Sequence, residues 1–207
     1  MTSEALLTFI LASTLLSLAP GPDNIFVLLQ SALHGRKAGL LVTLGLCTGL
    51  LVHTSLVAAG VAAIFLVNAV AFSLLKFAGA FYLVFLAAQA WQAGSSNLGT
   101  SIQPPLSPWQ LYRRGIFMNV TNPKVAIFFL AFLPQFATPN QNGIAIQIIL
   151  LGFTFIVITA LVFSLVAVLS ARLALWFKHS PGVQQGMNRI AAMVFVALAV
   201  RLALTSQ

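Results

Sequence analysis

Two charged side chains of opposite sign stand at matching breaks in a chain that otherwise carries little charge. The first break is Pro20-Gly21-Pro22, followed by Asp23 and Asn24; the second is Asn122-Pro123-Lys124. Each interrupts an apolar run that reads as a helix. Proline removes a backbone donor and frees carbonyls upstream, yet it suits the first turn of a new helix. Gly21-Pro22-Asp23 and Asn122-Pro123-Lys124 therefore each read as N-cap, first and second positions of a half-helix. Such a half-helix aims unpaired N–H groups and a positive dipole end into the apolar layer, where a carboxylate is readily held. The freed carbonyls of Leu16, Leu18 and Asn119 suit an ammonium.

Asp23 agrees with the dipole at its helix start, whereas Lys124 opposes it. An unpaired charge costs about 2.5–3.5 kcal/mol at the centre of a membrane helix, so each must be offset. A zwitterionic α-amino acid matches the pair, with its ammonium near Asp23 and its carboxylate near Lys124 and the amides. The other acid, Glu4, is terminal, which makes Asp23 the candidate proton-binding group. Desolvation favours its neutral form and Lys124 its charged form. The competing reading is a structural ion pair that locks two halves together. Asn24, Asn119 and Asn122 either contact a ligand or satisfy freed backbone groups. Gly115, Asn119 and Asn122 share one helical face, which points to a lined interface rather than lipid.

Weaker signals surround this pair. His53 either relays protons or bonds a neighbouring helix. Lys76 reads as a snorkelling lysine. Gly45 and Gly49 form a GxxxG pattern that signals close helix packing. Tyr82, Trp91, Trp109, Tyr112 and Trp176 fall near helix ends, as in an aromatic belt. There is no Walker A loop, HExxH pattern or GxSxG serine, and the single Cys47 excludes an internal disulfide. No cofactor or metal is expected, and an enzyme is disfavoured.

The elements that must position these residues are apolar throughout. The 207 residues are 60% hydrophobic and 6% charged, with mean hydropathy +1.02, whereas soluble domains carry about 25% charge. An integral membrane protein follows. Its net charge of +8 then reflects loops retained on the cytoplasmic face, not nucleic acid. The first apolar run lacks a basic start and continues to Leu29, so it reads as a retained helix, not a signal peptide.

Six spans of membrane length are expected: Ala5–Gln30, Gly39–Phe65, Ala69–Trp91, Tyr112–Phe136, Ile144–Leu169 and Ile190–Leu204, the last starting near Gly186. Residues 94–108 form the longest polar loop. The basic residues Arg36, Lys37, Arg113, Arg114, Arg172, Lys178 and Arg189 are expected between spans on one face, which puts both termini outside. Three spans per half make the halves, about 1–93 and 109–207, an inverted repeat within one domain, with the broken spans one and four in correspondence.

In these residues the chain resembles the LysE/RhtB family of bacterial amino-acid exporters. The likeness is carried by Leu18 to Asp23, by Gly45 to Gly49 with His53, by Leu75 to Leu83, and by Asn119 to Lys124 leading into Phe128 to Phe136. The resemblance implies a multi-pass protein of the bacterial inner membrane. It would export amino acids or related metabolites by proton antiport, with small-molecule cargo, protons and lipid as partners. Pro20, Gly21, Pro22, Asp23, Asn24, His53, Asn119, Asn122, Pro123 and Lys124 are the expected binding or coupling residues. A homo-oligomer, a non-transporting scaffold and an uncoupled channel stay open as alternatives.

Overall fold

A computed structural model describes residues 3–19, 21–67, 69–92, 105–137, 143–179 and 181–204. Among them every regular element is helical: α1 (Ser3–Leu18), α2 (Pro22–His34), α3 (Arg36–Val67), α4 (Ala69–Gln92), α5 (Pro108–Thr121), α6 (Pro123–Ile127), α7 (Ile144–His179) and α8 (Pro181–Leu204). α6 continues through a π-helical turn, Phe128–Phe132, and a 3₁₀ turn, Leu133–Phe136.

Local chemistry sets the boundaries. Pro22 and Pro123 open α2 and α6 behind the extended residues Gly21 and Asn122. Ser107 and Gln110 form a capping box at the start of α5. Gly35 turns the chain from α2 into α3 at φ 86°, and Gly143 precedes α7 at φ 63°, conformations that glycine adopts without the clash of a Cβ.

Among the described residues, two helical segments, Arg36–Gly60 and Ile144–Ser170, are long and apolar enough to cross a membrane by themselves. Four spans result if each bent pair counts as one: α1 with α2, inclined at 58°, and α5 with Pro123–Phe136, inclined at 51°. Large apolar side chains face outward, among them Phe81 (77% exposed) and Phe117 (70%). An apolar exterior over an apolar core is that of a multi-pass membrane protein.

Several boundaries differ from the sequence reading. α7 runs to His179 and α8 starts at Pro181, well before Gly186 or Ile190. An apolar-run criterion stops where polar residues begin, while the backbone hydrogen-bond ladder continues. For the same reason Arg36 and Lys37 belong to α3, Arg113 and Arg114 to α5, Arg172 and Lys178 to α7, and Arg189 to α8, rather than to loops between spans. The expected loop at 94–108 lies largely outside the described residues.

α3 packs against both α5 and α7, α4 against α8, and α1 and α2 against α7. The α3–α5 crossing is close because glycines meet there. A Cβ on Gly45 would strike the Tyr112 carbonyl, and one on Gly115 the Val42 carbonyl. Gly49 lies against Asn119. The GxxxG pattern thus joins two helices of the same chain. Phe9, Phe128, Phe129, Phe132, Phe136 and Phe155 form an aromatic core beside the second break.

Candidate functional site

The two breaks meet. Asp23, at the second position of α2, is buried, and its Oδ2 accepts from Asn122 Nδ2 at 2.9 Å. Asn122 caps α6 with its other side-chain atom, Oδ1, which accepts from the Lys124 amide at 3.0 Å. One asparagine therefore joins the start of the second half-helix to the carboxyl group at the start of the first. The expected register, with an N-cap, a proline and a charged residue at each break, is the observed one.

Lys124 reaches across to the first break. Its Nζ donates to the carbonyls of Leu16 and Ala19, both at 3.2 Å. Those carbonyls lie at the C-terminal end of α1, where the helix dipole is negative and acceptors lack intrahelical donors. A cation that is unfavourable at the start of α6 thus becomes favourable by reaching the end of α1. Gly21 makes room, since a Cβ there would lie 3.2 Å from Nζ. Asn24 Nδ2 completes the cap by donating to the Ser17 carbonyl at 2.7 Å. The freed carbonyls expected to hold a ligand's ammonium are, at Leu16, held by this lysine.

His53 is buried on α3, and its Nε2 lies 3.2 Å from the Asn119 carbonyl. Its ring packs beside Phe129, with centroids 5.6 Å apart. Of its two expected roles, the structure displays the helix-to-helix bond. Gly115, Asn119 and Asn122 are all buried, as their shared face requires. Pro20 lies outside the described residues. Pro22 and Pro123 contribute through backbone shape.

A small cavity opens between the breaks, bordered by Asp23, Asn24, Asn119 and Lys124 on its polar side. Leu50, Val125, Phe155 and Phe163 supply apolar walls, and Ser17 and Thr159 supply hydroxyls 3.3 Å apart. Sequence reading misses Ser17 and Thr159. Each is a small polar residue in an apolar run, a common pattern in membrane helices that carries no signal without the fold. Three side-chain oxygens beside the cavity are buried without a partner: Asp23 Oδ1, Asn24 Oδ1 and Asn119 Oδ1.

Two interrupted helices whose polar starts share one cavity inside an apolar bundle define a membrane translocator for small molecules. The family profile for the LysE type translocator matches residues 14–206. Two homoserine/homoserine lactone efflux proteins, from Salmonella typhi and Salmonella typhimurium, are each 39% identical over 98% of both chains. An uncharacterised membrane protein of Vibrio cholerae is 32% identical over 95% of both chains. No solved structure matches. The chain belongs to the LysE type translocator family.

Proposed function

We propose that this protein exports amino acids or closely related small metabolites across the inner membrane in exchange for protons. One observation carries the reading: Asp23 and Asn122, at two separate helix breaks, share a buried hydrogen bond beside a small cavity. Relatives named for homoserine and homoserine lactone efflux support cargo of that size and polarity. Asp23 is the coupling group in this scheme, with proton and cargo favouring opposite states of the two halves.

Packing supports an inverted repeat of three spans per half. Under that symmetry α3 corresponds to α7 and α4 to α8, and both pairs are in contact, as elements around a twofold axis are. The α3–α5 contact has its counterpart in the packing of α7 on α1 and α2. The clustering of Arg and Lys near the same ends of the helices supports a cytoplasmic position for those ends, with both termini outside.

The test is uptake of labelled homoserine into inside-out vesicles, with and without a proton gradient. Gradient-dependent uptake by the wild type, lost in Asp23→Asn with the protein still inserted, is expected. Equal gradient-driven uptake by the variant removes Asp23 from coupling, and uptake that ignores the gradient makes the protein a channel.

A further inference from the structure

We infer that the outward surface where α3 meets α5 binds the headgroup of an anionic phospholipid, through Lys37, Arg113 and the exposed Trp109. This goes beyond the exporter reading and rests only on the membrane class of the chain, not on what it carries.

The chain supplies no anion for these cations. It carries ten Lys and Arg against two acids. Asp23 is buried against Asn122. Glu4 stands in the first turn of α1, separated from Lys37 by the whole of α1 and α2. Arg36, Lys37 and Arg113 are exposed and, among the described residues, have no hydrogen-bond, ion-pair or ring partner. Arg114, beside Arg113, differs: its guanidinium lies over the Phe26 ring of α2, 4.9 Å from the centroid. Like charges held together without an acid repel one another, and acidic lipid headgroups attract basic residues held at the membrane surface.

The fold puts Lys37 and Arg113 on one surface. On α5, Trp109, Arg113 and Phe117 recur every fourth residue and all are exposed, so Arg113 stands on an outward stripe between two large aromatic side chains. On α3, Lys37, Leu44 and Leu51 recur every seventh residue and are exposed likewise. The two stripes flank one contact: the Thr48 hydroxyl lies 3.1 Å from that of Tyr112, whose ring stacks on Trp109 at 5.5 Å. Gly45 meets Gly115 and Gly49 meets Asn119, so the helices run in parallel and Lys37 is level with Ser107, the cap of α5. Arg113 lies about 9 Å further along, a gap that two long side chains can close onto one phosphate. The occupant is a lipid rather than a free anion because the surface has two characters. Its charged end lies beside Trp109 and Tyr112, residues suited to the headgroup level. Its other end, with Phe117, Leu44 and Leu51, is apolar and fits acyl chains.

Melting of the purified protein in neutral detergent tests this without reference to transport. Phosphatidylglycerol, phosphatidylcholine and inorganic phosphate are titrated separately at fixed ionic strength. Phosphatidylglycerol is expected to raise the melting temperature by about 5 °C near saturation, and the other two to leave it unchanged. Lys37→Gln with Arg113→Gln should fold normally, since both side chains are exposed. Its affinity for phosphatidylglycerol should fall about fivefold per cation, so about thirtyfold for the pair. A control, Lys76→Gln with Arg201→Gln, removes the same charge elsewhere and should keep the lipid-induced rise over its own baseline. The inference is overturned if phosphatidylcholine stabilises as well as phosphatidylglycerol, or if inorganic phosphate reproduces the rise. It is overturned equally if the Lys37 and Arg113 pair variant keeps the rise, or if the control loses as much of it, since net charge alone would then account for binding.

Discussion

Asn122 does two jobs with two atoms, and they can be separated. Its oxygen caps α6 and its amide nitrogen holds Asp23. Asn122→Ser keeps a capping oxygen but removes the amide donor. Asn122→Ala removes both, and loss of a cap costs about 1 kcal/mol. The serine variant is therefore expected to melt close to wild type in detergent while its transport falls about tenfold. The alanine variant should lose transport and also melt lower. Equal melting and equal transport in both would show that the bridge to Asp23 is dispensable. Lys124→Met leaves the Leu16 and Ala19 carbonyls without their side-chain donor, at about 1–3 kcal/mol. A lowered melting temperature is expected, and an unchanged one would mean that Lys124 does not secure the end of α1.

At the scale of elements, the α3–α5 crossing places Asn119 and His53. Gly45→Ala and Gly115→Ala each drive a methyl group into a backbone carbonyl of the partner helix, which cannot yield as a flexible side chain can. Either change should force the helices apart, lower thermal stability and lengthen the His53–Asn119 contact. Gly60→Ala in the same α3 meets nothing within 4 Å and should be neutral or stabilising by up to about 1 kcal/mol, since alanine is the better helix former. Detergent melting curves for the three variants check this. A Gly45→Ala protein as stable as Gly60→Ala would mean that close contact at this crossing does not hold α3 against α5. The π-helical turn at Phe128–Phe132 follows α6 at once and a 3₁₀ turn follows that, so the second broken helix departs from α geometry beyond its break as well as at it.

At the scale of the whole molecule, the halves are tied through the site itself. Lys124 of the second half closes the end of α1 in the first, and Asn122 of the second holds Asp23 of the first. In the proposed exchange, rocking of one half against the other would break or carry these bonds, so cargo and proton would act on the contacts that set the conformational balance. Six spans would put both termini on one side of the membrane, and the bias of basic residues predicts that this side is the outside. Alkaline phosphatase fused after Gln207 should be active and a fluorescent protein at the same point dark. The opposite pattern would reverse the assigned direction of transport.

The primary sequence alone determined a good deal. Two proline breaks, each followed by a charge in an apolar run, are local signals, because proline acts on its own turn and a charge is costly in hydrocarbon wherever it sits. Hence the membrane class, the half-helix starts at Pro22 and Pro123, and the shared face of Gly115, Asn119 and Asn122 were all legible. Where Lys124 points was not. Sequence places it at the start of α6, opposed to that helix's dipole. Only the fold brings the end of α1 within reach and gives Lys124 the carbonyls of Leu16 and Ala19 as acceptors. The extent of α7 and α8 was hidden because apolar length marks the membrane, not the helix. The cavity was hidden as well, since Ser17, Thr159 and Phe155 become neighbours of Asp23 only when α1, α2 and α7 pack together. Chemistry confined to one turn is written in the chain; which donors are spent and which acceptors are left over is decided by contacts between residues about a hundred positions apart.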